Sequence, residues 1–600
     1  MLALVKLGTR IVVWVCSALF ASLTALEALS RYATYHNRTY DLALYAREAW
    51  GLAHGDLWDP MLGAHFLGTH VAVVLWPLGL LGRLFGTVPV LLFAQALALG
   101  LATLPLSQIG ARRFGDIGGL IAALLWLLYP NIAHVASYEF HPGSLAVLPL
   151  ALALDALDRR AGWALVFSVL GMLTCRADLA VLVSMLGAMA CFTPPLRRAG
   201  VVVTCLGLGY LALELLVLRA YWPAHNSFGL HFATWGGSPL GIVTALFTEP
   251  GLVLAHFAVP ARALYLPSVL LPLLFLPLLA PRFALFALPA LALNLISTFP
   301  TSTALYSHYL TLALPSLLVA ALEGVAVLMR LAGRPWVAPL LLSWLLCAVL
   351  AASLQIGGLP WSRDYDHAAF VRSADSDEAA RTVASIPPGA SVQAPDALLA
   401  HLAERLRLYR SPPPDRGAQY VVLDIRHRVR FARQETVLRT SEEPATRNWL
   451  ARLDYGLVYA EPTLLTLKRG QDPRAGLTQR YFPSASGSHF GVKLTGCLVA
   501  TSAWLAPDGL ELEFYARAPC PADLALRLGS SETAPRVDLL FDGWLSPAHL
   551  HDEYVMSFHP LTGSERTEIR AHGLFLGALR SSGAPPLPGD HRSVRVPLVQ

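Results

Sequence analysis

The sequence predicts a polytopic α-helical membrane protein followed by two smaller domains, one α/β and one β-sandwich-like. The chain of 600 residues is 55% hydrophobic and 14% charged, whereas soluble proteins carry about 25% charged residues. Apolar runs near the length that crosses a bilayer fill residues 1–356, and residues 360–600 have an ordinary soluble composition. The chain has no phosphate-binding loop and no basic patch, so we expect neither ATP-driven work nor nucleic-acid binding.

The apolar runs give about 11 spans, with the N-terminus in the cytoplasm and the C-terminal tail outside it. The run 71–86 is short and contains Pro77 and Arg83, so we predict that it lies in the membrane interface. The positive-inside rule then places the arginine pairs between later runs in the cytoplasm. The predicted spans lie near residues 11–29, 88–108, 117–135, 143–157, 162–175, 179–193, 200–218, 263–280, 283–298, 306–329 and 336–356.

The change in composition predicts three domains. A transmembrane domain over 1–358 includes a long first external loop, residues 30–88. Residues 359–472 alternate helix-like and strand-like segments, which is typical of a small α/β domain. Residues 473–600 contain short alternating runs separated by Gly, Pro and Asp, the pattern of a β-sandwich. Both tail domains are predicted to be extracytoplasmic.

The spacing of cysteine and histidine residues gives no support for a structural zinc site. Five of the seven cysteines lie in apolar segments and are typical of small core residues. Cys497 and Cys520 lie in the tail, where an oxidising compartment would allow them to pair, and the sequence leaves that pairing open. No CxxC motif occurs. His225 and His231 give no clear functional signal.

Charged residues at the outer ends of the predicted spans are candidate functional residues, because charge is costly inside a membrane. Asp41 follows the first span and is either the N-cap of a helix or a base or metal ligand at the bilayer surface. Glu139 and His141 follow another span. Two residues apart on an extended segment, their side chains point the same way and can hold an ion or a phosphate-bearing substrate with Asp41. A solvated loop is the alternative.

Two further pairs lie at outer span ends. Arg176 and Asp178 stand between two short spans, and an arginine there suits a lipid phosphate. The alternatives are an arginine that reaches the headgroups or an ion pair that satisfies itself. His308 and Tyr309 stand at the start of another span. An aromatic belt accounts for the tyrosine, whereas His308 can donate to a phosphate or a sugar hydroxyl.

Several blocks carry a resemblance to a known family. They are "YDLALYAREAWGLAHGDLW", "YPNIAHVASYEFHPGSLAVLPLALAL", "CRADLAVLV" and "STFPTSTALYSHYLTLALPSLLVAALEG". Their order and spacing resemble a family of predicted bacterial membrane proteins, domain-of-unknown-function family twenty-seventy-nine, over most of residues 35–430. That family is grouped with the GT-C glycosyltransferases, so the resemblance implies a GT-C-like membrane domain in the bacterial inner membrane. The last part of the tail lies outside the resemblance.

The resemblance implies transfer of a sugar from a polyprenyl-phosphate donor to an envelope glycan, lipid or protein on the outer face of the membrane. GT-C enzymes place acidic residues in the first and second external loops, and Asp41 and Glu139 match those places. These two residues and His141 are thus the expected catalytic residues. The expected donor-phosphate ligands are Arg176, Asp178, His308 and Tyr309.

Two departures from the family pattern leave activity and metal dependence open. Gly143 and Ala177 stand where the family tends to have acidic residues, and both losses weaken a divalent-metal site. The alternatives are a member that binds a divalent metal, a metal-independent member and an inactive one. Two other functions compete with glycosyl transfer. One is a transporter or flippase of lipid-linked material, and the other is a non-catalytic GT-C-like envelope protein. The charges gather at the outer ends of the spans instead of mid-span, which favours surface chemistry over passage.

Overall fold

The computed structural model divides the chain into two compact units. One comprises Met1–Arg372 with Ala403–Leu406, and the other comprises Ser373–Leu402 with Arg407–Gln600. The structure describes residues 2–37, 40–69, 71–216, 218–221, 229, 231–411, 415–424, 449, 452, 454–461, 463–471, 480–483, 490–506, 509–517, 520–521, 524–532, 536–539, 553–580 and 593–599.

The described residues of the first unit form helices and a two-stranded hairpin of β1 (Trp58–Asp59) and β2 (Ala64–His65). Its helices are α1 (Leu2–Ala33), α2 (Tyr40–Ala53), α3 (Leu75–Phe85), α4 (Thr87–Leu101), α5 (Thr103–Leu128), α6 (Pro130–Ser137), α7 (Pro142–Leu145), α8 (Val147–Arg159), α9 (Gly162–Cys175), α10 (Ala180–Cys191), α11 (Arg197–Leu216), α12 (Pro239–Thr248), α13 (Pro250–Phe257), α14 (Pro260–Ala263), α15 (Tyr265–Leu270), α16 (Pro281–Ala284), α17 (Leu288–Ile296), α18 (Leu314–Ala332) and α19 (Val337–Ile356).

Among the described residues, five helical segments are long and apolar enough to cross a membrane. A sixth is added if α12 and α13, which are bent by 99° at their junction, form one span. Other apolar helices, including α3 and α9, are only 10–17 residues long. The long segments are Gly8–Ala33, Thr87–Leu128, Pro194–Leu216, Leu314–Ala332 and Val337–Ile356. The chain is thus a helical, membrane-type protein, and the figure of about 11 spans stays a prediction.

The segment Thr87–Leu128 contains a sharp turn. Gly115 has φ 72° and ψ −170°, a left-handed conformation that glycine adopts without a steric penalty. The two halves of α5 then fold back on each other, and Gly110 lies so close to the Gly118 backbone that neither position has room for a side chain. This turn falls between the predicted spans 88–108 and 117–135.

An ion-pair network holds this turn against two other helices. Arg112 donates to Asp158 at 2.6 Å and to Asp155 at 2.6 Å, both on or next to the last turn of α8. Arg113 donates to Asp158 at 2.7 Å and to Glu323 of α18 at 3.0 Å. Because each arginine pairs with two carboxylates, Arg112 and Arg113 join α5, α8 and α18.

The apolar run 263–280 is not one continuous helix. The chain forms α15 and then two short 3-10 turns, and Leu274 and Phe275 between them have φ of 51° and 55°. Proline lacks an N–H and its ring clashes with the preceding turn, so closely spaced prolines break a helix. The prolines responsible are Pro267, Pro272 and Pro277.

The second unit begins with a mixed sheet. β3 (Val392–Ala394), β4 (Leu408–Arg410) and β5 (Tyr420–Asp424) are parallel, and β7 (Leu464–Arg469) pairs antiparallel with both β5 and β6 (Tyr455–Ala460). The strand order is β4-β3-β5-β7-β6. The described helices of this part are α20 (Ala374–Ala384) and α21 (Asp396–Leu399).

Two antiparallel sheets complete the second unit, which confirms the predicted strand-rich tail. Their orders are β8-β14-β11-β10-β9 and β13-β12-β15-β16, and α22 (Gly563–His572) precedes β15. Alternate residues of both sheets, such as Leu512 and Leu526, belong to one buried apolar cluster. Cys497 and Cys520 form a disulfide. The strands are β8 (Arg480–Pro483), β9 (Val492–Lys493), β10 (Leu498–Ala506), β11 (Gly509–Ala516), β12 (Leu524–Gly529), β13 (Arg536–Leu539), β14 (Glu553–Pro560), β15 (Leu574–Arg580) and β16 (Val594–Val596).

Candidate functional site

The candidate site is built around the N-terminal turn of α2. Asp41 is the second residue of that helix, so it lies inside the first turn and does not precede the helix as an N-cap would. His141 Nε2 lies 3.1 Å from Asp41 Oδ2, and Glu139 Oε2 accepts a hydrogen bond from the Leu42 N–H at 3.1 Å. The side chains of Glu139 and His141 therefore point to the same helix end, as their spacing predicts.

The three acidic and basic groups differ in exposure. The Asp41 side chain is 42% exposed and the His141 side chain 9%, whereas Glu139 is 3% exposed. A buried carboxylate that receives a backbone N–H of the first helical turn stabilises that turn. The exposed carboxylate of Asp41 is the one that a substrate can reach.

Gln95 of α4 holds the segment that carries Glu139 and His141, and sequence reasoning missed it. Its Nε2 donates to the carbonyl of Val135 at 2.6 Å and also to the carbonyl of Glu139. Its Oε1 accepts the His141 N–H at 2.9 Å. The side chain is fully buried, so this one amide satisfies three backbone groups that are close to the candidate site.

We expect Gln95→Leu to destabilise the protein and to lower its activity. The change leaves two buried carbonyls and one buried N–H without their partner, and each such group costs about 1–3 kcal/mol. Thermal unfolding in detergent measures the loss. Gln108→Leu changes an exposed amide on α5 and is the matched control. Equal unfolding temperatures for Gln95→Leu and the wild type would contradict this role.

His308 and Tyr309 extend the site. The imidazole rings of His308 and His141 are stacked, with centroids 3.4 Å apart and planes 17° from parallel. The Tyr309 ring lies 4.1 Å from the His308 ring. Tyr309 also has a raised pKa because it is buried and because Asp41 is near, an effect that Arg176 partly opposes. The structure therefore brings these five residues into one region.

A second buried amide positions the His308 segment. Asn131 of α6 is fully buried, and its Nδ2 donates at 2.8 Å to the carbonyls of both Leu305 and Ser307. Its Oδ1 accepts the Thr311 hydroxyl at 2.9 Å. Gln95 and Asn131 thus fix the two chain segments whose histidines stack.

Arg176 and Asp178 form the bidentate pair that was one of the two structural alternatives. Arg176 Nε donates to Asp178 Oδ1 at 3.0 Å and Nη2 donates to Oδ2 at 2.7 Å. Among the described residues none accepts a hydrogen bond from Nη1. The side chains of Arg176 and Asp178 are 22% and 43% exposed. The pair therefore leaves one end of the guanidinium available to a ligand.

The structure accounts for both departures from the family pattern. A Cβ at Gly143 would lie 3.1 Å from Arg176 Cδ and 3.2 Å from Nη1, so any side chain there requires the arginine to shift. Ala177 is buried and packs against Phe66 and Val71. An acidic side chain at 143 would displace Arg176, and one at 177 would enter an apolar contact.

A buried carboxyl pair, Glu48 and Asp59, lies in the first loop, and the sequence did not indicate it. The two residues are 5% and 2% exposed. Burial, and then the nearby Asp59 carboxyl, raises the pKa of Glu48 to about 8. Burial likewise raises the pKa of Asp59 to about 6, against the backbone hydrogen bonds that this carboxyl accepts. The charge of Arg47 opposes both shifts, while its guanidinium pairs with Asp56 and the Leu406 carbonyl.

We expect Glu48→Gln to make the protein more stable than the wild type at pH 8. A raised folded-state pKa means that the folded chain keeps a proton that the unfolded chain loses, so stability falls as pH rises from about 4.5 to about 8. Glutamine keeps the neutral form and removes this fall, which is on the order of a few kcal/mol. Unfolding temperatures from pH 5 to 8 test this, with the exposed Glu249→Gln as control. A wild-type profile that does not fall would contradict it.

No group of three His, Cys, Asp or Glu residues able to hold a metal ion occurs within the described part of the chain. His225 lies outside the described residues.

Comparison with known proteins places the chain in a family. The model of the predicted membrane protein family DUF2079 matches residues 31–461. The chain is also similar to two crystal structures of ArnT from Cupriavidus metallidurans, at 14% identity and over 76% of this chain. The match spans 97% of the ArnT chain in the structure bound to undecaprenyl phosphate, with a TM-score of 0.42. It spans 98% of the chain in the apo structure, with a TM-score of 0.43. No curated protein matches the chain. Since the family model covers well over half of its length, this chain belongs to the DUF2079 family of predicted membrane proteins.

Proposed function

We propose that this protein is an integral membrane glycosyltransferase. It transfers a sugar from a polyprenyl-phosphate donor to an envelope acceptor on the outer face of the membrane. The observation that carries the proposal is the half-exposed Asp41 carboxylate, hydrogen-bonded to His141, in the same region as a guanidinium whose Nη1 faces Gly143. A base and a phosphate ligand at the end of an apolar helical bundle are what transfer from a lipid phosphate requires.

Asp41 is the base in this proposal. Its carboxylate takes the proton of the acceptor hydroxyl as the acceptor oxygen attacks the anomeric carbon of the donor sugar. The bond between that carbon and the phosphate oxygen breaks, and the electron pair leaves with the polyprenyl phosphate. The contact with His141 Nε2 holds the carboxylate in place. The proton then passes from Asp41 to water.

Arg176 stabilises the leaving phosphate. The leaving group is already a phosphate ester of low basicity, so it needs a fixed positive charge more than a general acid. Asp178 holds the guanidinium through Nε and Nη2, which leaves Nη1 to donate to a phosphate oxygen. His308 and Tyr309 lie on the His141 side of the site and complete the donor-phosphate surface.

Glu139 has a positioning role in this mechanism. Its burial and its bond to the Leu42 N–H place it behind Asp41, out of reach of a substrate. It fixes the first turn of α2, and thus the position of Asp41.

The proposal is tested with the purified full chain in nanodiscs and labelled polyprenyl-phosphate sugars of several kinds. Release of polyprenyl phosphate with loss of the sugar label from the lipid supports glycosyl transfer or hydrolysis at this site. The assay is run with and without a divalent metal and with a chelator. Movement of intact labelled lipid between leaflets, with no chemical change, would favour the flippase alternative and contradict the proposal.

A further inference from the structure

His231 is a histidine next to the candidate site that the proposed mechanism does not use. It belongs to a segment far from Asp41 in the sequence. Its ring lies 5.7 Å from the Tyr309 ring and stacks on Phe299 at 4.8 Å. The rings of His141, His308, Tyr309 and His231 therefore follow one another in contact, from His141 beside Asp41 to His231.

Hydrogen bonding around Ser297 fixes the proton of this imidazole. The Ser297 hydroxyl oxygen accepts the Ser302 hydroxyl at 2.8 Å and the Phe299 N–H at 3.1 Å. Both of its lone pairs are then used, so its own hydrogen is left for His231 Nδ1, which lies 3.2 Å away. His231 Nδ1 is thus an acceptor, and the proton of the neutral ring resides on Nε2.

The charged groups nearby are those of the candidate site. Burial, and then the charge of Arg176, lowers the pKa of His231, while Asp41 has the opposite effect. The ring is half-buried, and among the described residues none forms a hydrogen bond with Nε2. His231 therefore presents one neutral N–H donor, in a fixed orientation, within electrostatic range of both Asp41 and Arg176.

We infer that His231 is a ligand of the donor phosphate and donates its Nε2–H to a phosphate oxygen beside Arg176. This inference rests on the proposed function. A neutral donor suits this place, because a second full positive charge next to Arg176 would be repelled. Ser297 is a positioning residue, since it acts only by fixing the tautomer of His231.

The inference is tested by titrating decaprenyl phosphate into the full chain in phosphatidylcholine nanodiscs. Parallel titrations use inorganic phosphate and phosphatidic acid, which separate the polyprenyl phosphate from a free phosphate and from a bulk phospholipid. We expect His231→Phe, which keeps the stacking, to weaken decaprenyl phosphate binding about tenfold, the effect of one lost hydrogen bond to a charged group. His231→Gln keeps an N–H donor and should bind within about threefold of the wild type.

His256→Phe is the matched control. His256 Nε2 forms a hydrogen bond with the Leu295 carbonyl at 2.9 Å in the same part of the molecule, so this variant loses a structural bond and should keep full affinity. Wild-type affinity in His231→Phe would overturn the inference and leave the proposed function standing. Equal losses in His231→Phe, His231→Gln and His256→Phe would show a structural role only. A wild-type chain that neither binds the lipid nor transfers sugar would reject both proposals. Tighter binding of phosphatidic acid or inorganic phosphate would also overturn the inference.

Discussion

Asp41→Asn is expected to slow sugar transfer at least a hundredfold while the protein remains folded and still binds the donor lipid. Asparagine has the shape of aspartate and can still form a hydrogen bond with His141, but it cannot take the proton of the acceptor. A positioned general base contributes about a hundredfold to ten-thousandfold to a rate. We expect kcat to fall within that range, with little change in the affinity for decaprenyl phosphate, because Asp41 does not contact the phosphate in our mechanism.

The measurement is steady-state transfer, together with thermal unfolding of the same preparation. Asp375→Asn changes an exposed aspartate in the tail and is the matched control, expected to retain wild-type activity. Transfer by Asp41→Asn at the wild-type rate would remove the base from the mechanism. The placement of residue 41 on the outer face of the membrane is tested separately with reporter fusions. Fusions that report the segment around residue 41 to be in the cytosol would rule out an outer-face reaction.

The parts of this site that the sequence could predict are those set by local spacing. Glu139 and His141 are two residues apart on an extended segment, and both do reach the first turn of α2. Arg176 and Asp178 are likewise two apart and pair with each other. Such contacts require only the geometry of a few neighbouring residues, so a single sequence is enough to suggest them.

The sequence contains a signal for the two buried amides, although it was overlooked. Gln95 and Asn131 each interrupt an apolar run, and a lone amide in such a run must find partners inside the protein. The sequence can therefore indicate that both residues are engaged. It cannot indicate that their partners are the backbones of the two segments that carry His141 and His308, because those contacts join residues 40 to 180 positions apart.

The features that could not be predicted from the sequence depend on contacts between distant parts of the chain. The run 263–280 has the composition of a span, and its prolines could have warned that it would not be one helix. His231 gave no signal, because its role depends on Ser297 and Tyr309, which approach it only in the folded chain. The same holds for Glu48 and Asp59, whose raised pKa values arise from their burial in the folded chain.

Arg176→Ala is expected to cause a second large loss of activity, and unlike Asp41→Asn it should also lower the affinity for the donor. The guanidinium acts on the phosphate both before and during cleavage in our mechanism, so donor affinity and kcat should both fall. Loss of one charged hydrogen-bond donor costs about 1.5–3 kcal/mol, or roughly ten- to a hundredfold in affinity. Removal of a group that stabilises developing charge costs about a hundred- to a thousandfold in kcat. Decaprenyl phosphate titration and steady-state transfer measure the two effects separately.

Two further variants decide whether Arg176 acts by its charge or by its shape. Arg176→Lys keeps the charge but cannot form the bidentate pair with Asp178, so we expect it to recover part of the affinity and little of kcat. Gly143→Ala leaves the arginine intact and places a methyl group about where Cδ and Nη1 now approach. If the position of Nη1 matters, this small change should weaken donor binding, whereas the exposed Arg363→Gln should not. Wild-type binding by both Arg176→Ala and Gly143→Ala would show that the phosphate is held elsewhere, because the first variant removes Nη1 and the second displaces it.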